Sequence, residues 1–154
     1  MKTVKRTSVF PAPRELVFKK LQQLETLQFI AYPYATFTPV DPDDPLVWKP
    51  GASSSYRFRM WGIIPFGVHT ISIERVDIDE IVSREGNRFV PVWNHKIHLK
   101  DLGDRTEYTD EVDIDAGWKT LFTWFWTKAF YAHRQKKWLK LLGGINGNQN
   151  EKNR

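Results

Sequence analysis

The chain has 154 residues, enough for one domain with a sizeable core, and it is 41% hydrophobic, 27% charged and 14% aromatic. It contains no cysteine, which excludes disulfides, thiolate metal sites and a thiol nucleophile. The net charge of +5 at pH 7 raises nucleic acids and anionic membranes as partners, while seven Trp and ten Phe need a core or a cavity wall.

The positive charge is not arranged as a nucleic-acid-binding surface. Cations concentrate near the N-terminus and at 134–140, whereas 107–115 is acidic. Aromatic and cationic side chains do not interleave on one strand face, as they do in single-stranded nucleic-acid sites. A solvated basic face explains the charge, and we expect no nucleic-acid partner.

Neither a signal peptide nor a membrane span is predicted. Residues 1–13 carry early positive charge but no apolar run. The longest apolar region, 120–132, is interrupted by Lys128 and falls well short of the roughly 20 residues that a span needs. We therefore expect a cytoplasmic protein.

The N-terminal part of the chain predicts a strand and then helix. Residues 3–10 are rich in Val, Thr and Phe and are followed by Pro11 and Pro13, which end a strand. From 14 to 30 the apolar residues recur at intervals of three and four, the helical period. We expect one helix, or two short helices broken near Glu25.

A short strand is predicted at 34–38, and a proline-rich loop follows it. Asp41, Asp43 and Asp44 lie in that loop and indicate a solvated turn. Beyond Gly51 the apolar period changes to two, because apolar residues alternate with Arg57, Arg59 and Trp61. The apolar face of this strand carries Tyr56, Phe58 and Met60.

The remaining strands form an antiparallel meander with short, turn-like connections. They are predicted at 68–77, 80–84, 87–101 and 105–115. From Gly117 the pattern is helical for roughly 25 residues and ends at Gly143-Gly144, a glycine C-cap. We expect one domain at 1–142 and a disordered polar tail at 143–154. The fold class is α+β, with a strongly curved antiparallel sheet of about seven strands wrapped around a long C-terminal helix.

Strand parity separates the histidines at 95 and 98. Trp93, His95 and Ile97 share the apolar face of one strand, whereas His98 lies on the polar face. Two residues spaced by three on a strand cannot converge on one ion, so we expect no metal site. His69 shares its parity with Ile71 and is also expected on the inner face.

The turn at Gly103-Asp104 sets the register of the last two strands. Counting back from it pairs Ile97 with Asp110 and His95 with Val112, so Asp110 lies diagonal to His95 within reach of its ring. A buried acid needs a partner, and the imidazole supplies one. The pair is open to three interpretations: a structural tether between strands, a polar fixture that orients a ligand, or a general acid or base.

The last helix is strongly aromatic. At 100° per residue one arc predicts the face that closes a cavity, and it comprises Trp118, Leu121, Phe122, Phe125, Trp126 and Ala129. A second set lies outside that arc: Trp124, Phe130, Tyr131 and Trp138. This second set either packs on other parts of the fold or forms an exposed patch for a membrane surface, a dimer partner or another protein.

The chain resembles the START-like, helix-grip superfamily, and more narrowly its polyketide cyclase/dehydrase and lipid-transport branch, often labelled SRPBCC. The resemblance rests on the order of elements, on "FPAPRELVFKKL", and on a pattern that precedes the aromatic helix: Phe89, Trp93, His95, Thr106, Asp110 and Val112. It extends over roughly 3–142. It implies a deep cavity between sheet and C-terminal helix that holds a hydrophobic small molecule. The chain lacks the cysteine-histidine iron-sulfur signature of the hydroxylase members.

We expect a protein that binds a lipid, an isoprenoid or an aromatic compound without a cofactor. The alternative is a cyclase or dehydratase in which His95 transfers a proton, with Asp110 as the second catalytic candidate. Peripheral contact of the C-terminal helix with a membrane surface is a further expectation. The residues expected to bind the ligand are Tyr56, Phe58, Met60, His69, Ile71, Trp93, His95, Ile97, Tyr108, Asp110, Val112, Phe122, Phe125 and Trp126.

Overall fold

The computed structural model describes residues 1–43 and 47–152, with side chains described up to 144. In this part of the chain, seven strands and three α-helices follow the predicted order. They are β1 (Lys2–Phe10), α1 (Arg14–Leu21), α2 (Leu24–Ala31), β2 (Ala35–Pro39), β3 (Ser53–Met60), β4 (Ile64–Val76), β5 (Glu80–Gly86), β6 (Val92–Asp101), β7 (Thr106–Asp115) and α3 (Thr120–Lys152). A single 3₁₀ turn, Gly117–Lys119, precedes α3.

All seven strands form one antiparallel sheet in the order β1-β7-β6-β5-β4-β3-β2. Register shifts interrupt the pairing of β3 with β4 between Arg57 and Arg59, and that of β4 with β5 between Ile73 and Arg75. Such bulges add twist and curvature to a sheet. The curved sheet with a long C-terminal helix confirms the predicted fold class.

The region 14–31 forms two helices and not one. The helical hydrogen bonding is interrupted at Gln22 and Gln23, and Glu25 lies in the first turn of α2. The alternative of two short helices is therefore confirmed, with the break slightly earlier than predicted.

The end of α3 differs from the prediction. The helix continues past Gly143 and Gly144 to Lys152. Neither glycine adopts the positive φ that a glycine C-cap requires, so both are accommodated as ordinary helical residues. The division into a domain at 1–142 and a tail at 143–154 stays a prediction.

The turn between β5 and β6 also differs from the prediction. The sequence places Glu85 in a turn, but β5 continues to Gly86 and the turn follows it. The Asn87 side chain accepts hydrogen bonds from the backbone N–H groups of Phe89 and Val90, at 2.8 Å each. Asn87 thus organises the turn, and Glu85 becomes a strand residue with a defined face.

Asp41 and Asp43 are exposed, and Asp41 accepts a hydrogen bond from the Asp43 backbone at 3.0 Å, as the predicted solvated turn requires. Asp44 lies outside the described residues. No helix in 1–43 or 47–152 is long and apolar enough to cross a bilayer.

Candidate functional site

A cavity of about 460 Å³ lies between the sheet and the helices α2 and α3. This volume is within the range of roughly 300–1,000 Å³ that is typical of small-molecule sites. Nine of the residues expected to bind the ligand line it: Phe58, Met60, His69, Ile71, Trp93, His95, Ile97, Phe122 and Trp126.

Five of the expected residues do not line the cavity. Tyr56 and Val112 are buried in the core. Tyr108 packs away from the cavity between Phe10 and Trp138, with ring centroids 4.6 and 5.8 Å away. The other two are Asp110, which lies behind His95, and Phe125, which is 59% exposed.

The predicted register of β6 and β7 is confirmed. Ile97 pairs with Asp110 and His95 with Val112, and the His95 ring nitrogen Nε2 lies 2.8 Å from Asp110 Oδ1. His98 lies on the other face, where its ring is 3.4 Å from Glu80. Parity and the two-residue turn sufficed here because a hairpin register is set locally.

His95 and Asp110 belong to a longer set that we call the histidine–carboxylate row: His69, Glu85, His95 and Asp110. The four residues come one each from the adjacent strands β4, β5, β6 and β7. Each neighbouring pair is diagonal across its two strands, as the registers require. The successive N···O distances are 2.9, 3.7 and 2.8 Å, so the row crosses the inner face of the sheet.

Asp110 ends the row and is fully hydrogen-bonded. The Tyr108 hydroxyl donates to it at 3.1 Å, and the amide of Gln135 in α3 donates at 3.0 Å. Burial disfavours the charged carboxylate, but the bond from His95 and the charge of Arg134 outweigh burial and lower its pKa. Asp110 is therefore a buried carboxylate that ties β6, β7 and α3 together.

The surroundings of His95 favour its imidazolium form. Burial disfavours the charge, but hydrogen bonding to Asp110 and Glu85 outweighs it and raises the pKa of His95. Its Nε2 faces Asp110 and its Nδ1 faces Glu85 at 3.7 Å, so both ring nitrogens are directed at carboxylates. The His95 ring packs against Tyr131 in a T-shaped arrangement, with ring centroids 5.2 Å apart.

Glu85 joins two histidines at the cavity wall. Its side chain is 11% exposed, and it accepts hydrogen bonds from the Ser83 hydroxyl at 2.6 Å and from His69 at 2.9 Å. Burial opposes ionisation, yet the bonds from His69 and His95 outweigh it and lower the pKa of Glu85. The His69 atom Nδ1 is buried and has no partner among the described residues.

The face that α3 presents to the fold differs from the predicted arc. The described residues of α3 that are buried are Thr120, Thr127, Phe130, Tyr131, Arg134, Gln135, Trp138 and Leu142. Three members of the second aromatic set, Phe130, Tyr131 and Trp138, are therefore packed inside. Trp118, Leu121, Phe122 and Phe125 of the predicted arc are exposed, and Ala129 is exposed as well. The buried stripe includes the polar residues Thr127, Arg134 and Gln135, so hydrophobic periodicity does not identify it.

Trp118 and Phe122 line the cavity although they are 83% and 73% exposed. They therefore lie where the cavity opens to solvent. We call Trp118, Leu121, Phe122 and Phe125 the aromatic rim.

Several cavity residues were missed by the sequence analysis: Ser83, Glu85, Tyr131 and Arg134 carry polar groups, and Leu27, Phe37, Trp48, Phe66, Ile81, Val90 and Phe130 are mainly apolar. The inward parity of Ile81 extends to Ser83 and Glu85 and was the available signal for both. No comparable signal in the sequence marks Arg134, since a cation among lysines on a basic helix is typical of a solvated face.

Neither a protein-family model nor a curated protein sequence matches the chain. Its backbone is similar to many solved structures. A protein from Arthrobacter aurescens has a TM-score of 0.75 at 12% identity, over 92% of this chain and 86% of that one. A START superfamily protein from Mycobacterium smegmatis has a TM-score of 0.66 at 13% identity, over 93% and 98%.

A protein of the dynemicin biosynthetic locus is similar over 93% of this chain and 48% of its own length, with a TM-score of 0.62 at 16% identity. Likeness at such low identities establishes architecture and leaves activity open. The sheet order, the two short helices after β1 and the long final helix agree with it. The chain therefore has the START-like helix-grip fold.

Proposed function

We propose that this protein binds a hydrophobic or amphipathic small molecule, such as a lipid, an isoprenoid or an aromatic compound, in the cavity between sheet and α3. The observation that carries the proposal is a cavity of about 460 Å³ with mostly apolar walls. Its polar lining includes three members of the row, His69, Glu85 and His95, together with Ser83 and Arg134. An apolar chamber with a few convergent polar groups is the usual form of a small-molecule site.

The proposal is tested with N-phenyl-1-naphthylamine, an uncharged apolar dye whose emission rises in a dry environment. We expect saturable enhancement with one site per chain. Leu27 lines the cavity and is only partly buried, so Leu27→Trp adds volume there with little disturbance of the core. We expect this substitution to weaken dye binding at least about tenfold, the effect of losing roughly 1.4 kcal/mol of binding free energy.

Val68→Trp is the matched control, because Val68 is 48% exposed and lies outside the cavity lining. It should bind the dye as the wild type does. Absence of a saturable dye signal in the wild type, or equal loss in both variants, would contradict the proposal.

The alternative of proton transfer by His95 receives less support from the geometry. A general acid or base needs a nitrogen within hydrogen-bond reach of the substrate. Both nitrogens of His95 are directed at carboxylates, and its raised pKa favours the charged form, which cannot accept a proton. A role as a polar fixture of the wall agrees better with this arrangement.

We further propose that ligand exchange takes place at an anionic membrane surface, through the aromatic rim. The rim is exposed, and two of its residues, Trp118 and Phe122, line the cavity. Lys119 lies beside the rim, with its ammonium 5.6 Å from the ring centroid of Trp118 and 5.7 Å from that of Phe89, and the Arg88 guanidinium lies 5.3 Å from the Phe89 ring. Aromatic rings with adjacent cations suit the boundary between lipid headgroups and acyl chains.

Co-sedimentation with phosphatidylglycerol vesicles tests this second proposal. We expect the wild type to bind and the double variant Trp118→Ser/Phe122→Ser to remain in the supernatant. Leu139→Ser is the control, since Leu139 is 41% exposed on the same helix but distant from the rim. Equal binding by all three proteins would rule out the rim as the contact.

A further inference from the structure

Arg134 is a buried cation that has no ion pair among the described residues. Its side chain is 5% exposed and lines the cavity. Its guanidinium carbon lies 4.8 Å from the Tyr131 ring centroid and 5.6 Å from that of Phe130, on its own helix. Its Nε is buried without a hydrogen-bond partner in the described part of the chain. Arginine carries five N–H donors, and buried donors require acceptors.

The nearby carboxylates are already engaged by other groups. Asp110 accepts from His95, Tyr108 and Gln135, and Glu85 accepts from Ser83 and His69. Neither forms an ion pair with the guanidinium within 4 Å among the described residues. Burial opposes the charge of Arg134, but the electrostatic influence of Tyr131, Asp110, Tyr108 and Glu85 outweighs it and raises the pKa. Arg134 therefore stays a cation, and its hydrogen-bonding capacity is left for something inside the cavity.

A second cavity residue supports this interpretation. The Trp126 ring lines the cavity, and its Nε1–H, a donor only, is buried with no partner in the described residues. Arg134 and Trp126 of α3 both line the cavity, and each thus has a buried N–H donor without an acceptor among the described residues. An occupant that supplies oxygen acceptors, and in particular negative charge, would satisfy the cation.

We infer that the ligand is an organic acid whose carboxylate is bound by Arg134 at the inner end of the cavity. This inference rests on the proposed binding function and names its ligand class. The planar guanidinium matches a carboxylate in a two-bond geometry. Phe122 at the opening and Arg134 are twelve residues apart on α3, which corresponds to about 18 Å at 1.5 Å per residue. The acid therefore enters with its charged end first, and its apolar body extends towards the rim.

The alternative is that Arg134 serves only to balance the charge of Glu85 and Asp110. The two accounts differ in the sign of a preference between ligands that share one chain. An apolar cavity without an anion site prefers an alcohol to the corresponding carboxylate, because burying an unpaired charge is costly. A cavity with a usable cation prefers the carboxylate.

The experiment measures displacement of N-phenyl-1-naphthylamine by decanoate and by decanol at pH 7. We expect decanoate to bind the wild type about 10- to 100-fold more tightly than decanol, as for a charge-assisted contact. Arg134→Gln should reduce decanoate binding to the level of decanol or below. Arg134→Lys should recover part of the preference. Arg59→Gln, which removes an exposed cation of β3, should leave the preference intact.

The outcomes separate the two claims. Tighter binding of decanol than of decanoate by the wild type, with normal dye binding, would overturn the acid inference and leave the binding function in place. Failure of the dye itself to bind would overturn the binding function. Circular dichroism reports whether Arg134→Gln folds. The wild-type comparison needs no variant, so it decides the inference even if Arg134→Gln does not fold.

Discussion

Asp110 is a buried carboxylate on which three side-chain hydrogen bonds converge. It accepts from His95, Tyr108 and Gln135 and is 1% exposed. Asp110→Asn removes the charge that the His95 imidazolium requires, and breaking a buried pair from one side is strongly destabilising. We expect the free energy of unfolding in urea to fall by about 3–5 kcal/mol.

The control is Asp113→Asn on the same strand. Asp113 lies on the outer face and accepts a hydrogen bond from Thr3 at an exposed position, which an amide oxygen can still accept. Its free energy of unfolding should change by about 0.5 kcal/mol at most. Similar losses in the two variants would mean that the row does not stabilise the fold.

The pKa shifts of His95, Asp110 and Glu85 predict a maximum in stability at mildly acidic pH. The pKa of His95 is raised by Asp110 and Glu85 against burial, so its contribution is complete below the ordinary value near 6.5 and is lost as pH rises through the raised pKa. The pKa values of Asp110 and Glu85 are lowered, so their contribution is complete above about 4.5 and is lost as pH falls through the lowered values. Arg134 and Tyr131 of α3 also face His95 and keep their charge states across this range.

Urea midpoints measured from acid to alkaline pH check this. We expect the highest midpoint between about pH 5 and 6.5 and a decline on the alkaline side that is absent in His95→Gln. His98→Gln, on the outer face of the same strand, should retain that decline. An alkaline decline of equal size in His95→Gln would assign it to another group.

The contacts within the row could be predicted only where a short-range feature of the sequence determines them. The register that brings His95 to Asp110 follows from one short turn. Glu85 was assigned to a turn because Gly86 and Asn87 are both turn formers, and only the tertiary structure shows that Asn87 alone begins the turn. The sequence predicts that β5 ends at 84, two residues too early. Glu85, which links His69 to His95, was therefore not predicted as part of the row.

At the scale of elements, α3 is stabilised by a stripe that mixes aromatic and polar residues. Trp138 is fully buried and stacks on Phe10 with ring centroids 5.5 Å apart. Trp138→Ala should lower the free energy of unfolding by about 3–5 kcal/mol, the cost of a large aromatic cavity. Phe125→Ala, on the exposed side of the same helix, should change it by about 0.5 kcal/mol or less. Urea unfolding measures both effects. A larger loss of stability in Phe125→Ala than in Trp138→Ala would mean that the arc predicted from the sequence faces the core.

The orientation of α3 could not be obtained from hydrophobic periodicity because nearly every turn of the helix carries an aromatic residue. The predicted arc is the more apolar side of the helix. The buried side includes Gln135, for which the sheet supplies hydrogen-bond partners, and Arg134, which lines the cavity. Both depend on tertiary contacts, which the hydrophobic periodicity of the helix does not indicate.

The two glycines of α3 provide a second test at this scale. Gly143 is helical and has open space around its α-carbon. Gly143→Ala should raise the free energy of unfolding by up to about 1 kcal/mol, since alanine favours helix. Gly103→Ala should lower it, because φ is +84° at that turn. Loss of stability in Gly143→Ala would restore the predicted helix end at this position.

For the whole molecule, ligand binding and folding are linked. A ligand that binds only the folded chain raises the free energy of unfolding with the logarithm of its concentration, by about 2.7 kcal/mol at 100 times Kd. We expect N-phenyl-1-naphthylamine to raise the thermal midpoint of the wild type and of Val68→Trp, and to have little effect on Leu27→Trp. Differential scanning calorimetry measures this, and an equal shift in all three proteins would indicate binding outside the cavity.

The overall architecture was predictable because it depends on the order of elements and on alternation along strands, which many residues specify together. The size of the cavity and the occupancy of its inner end were not, because they depend on side chains from seven or more segments that meet only in the folded chain.

The row has a consequence for redesign of the cavity. Its four side chains are bonded mainly to one another and to Ser83, Tyr108 and Gln135, so they hold the strands in place with groups that do not depend on the apolar lining. Leu27, Met60 and Phe66, which line the cavity, can therefore be exchanged for residues of other shapes while this scaffold is kept intact. A library varied at these three positions should yield folded proteins with altered ligand preference, which makes the chain a starting point for engineered binders.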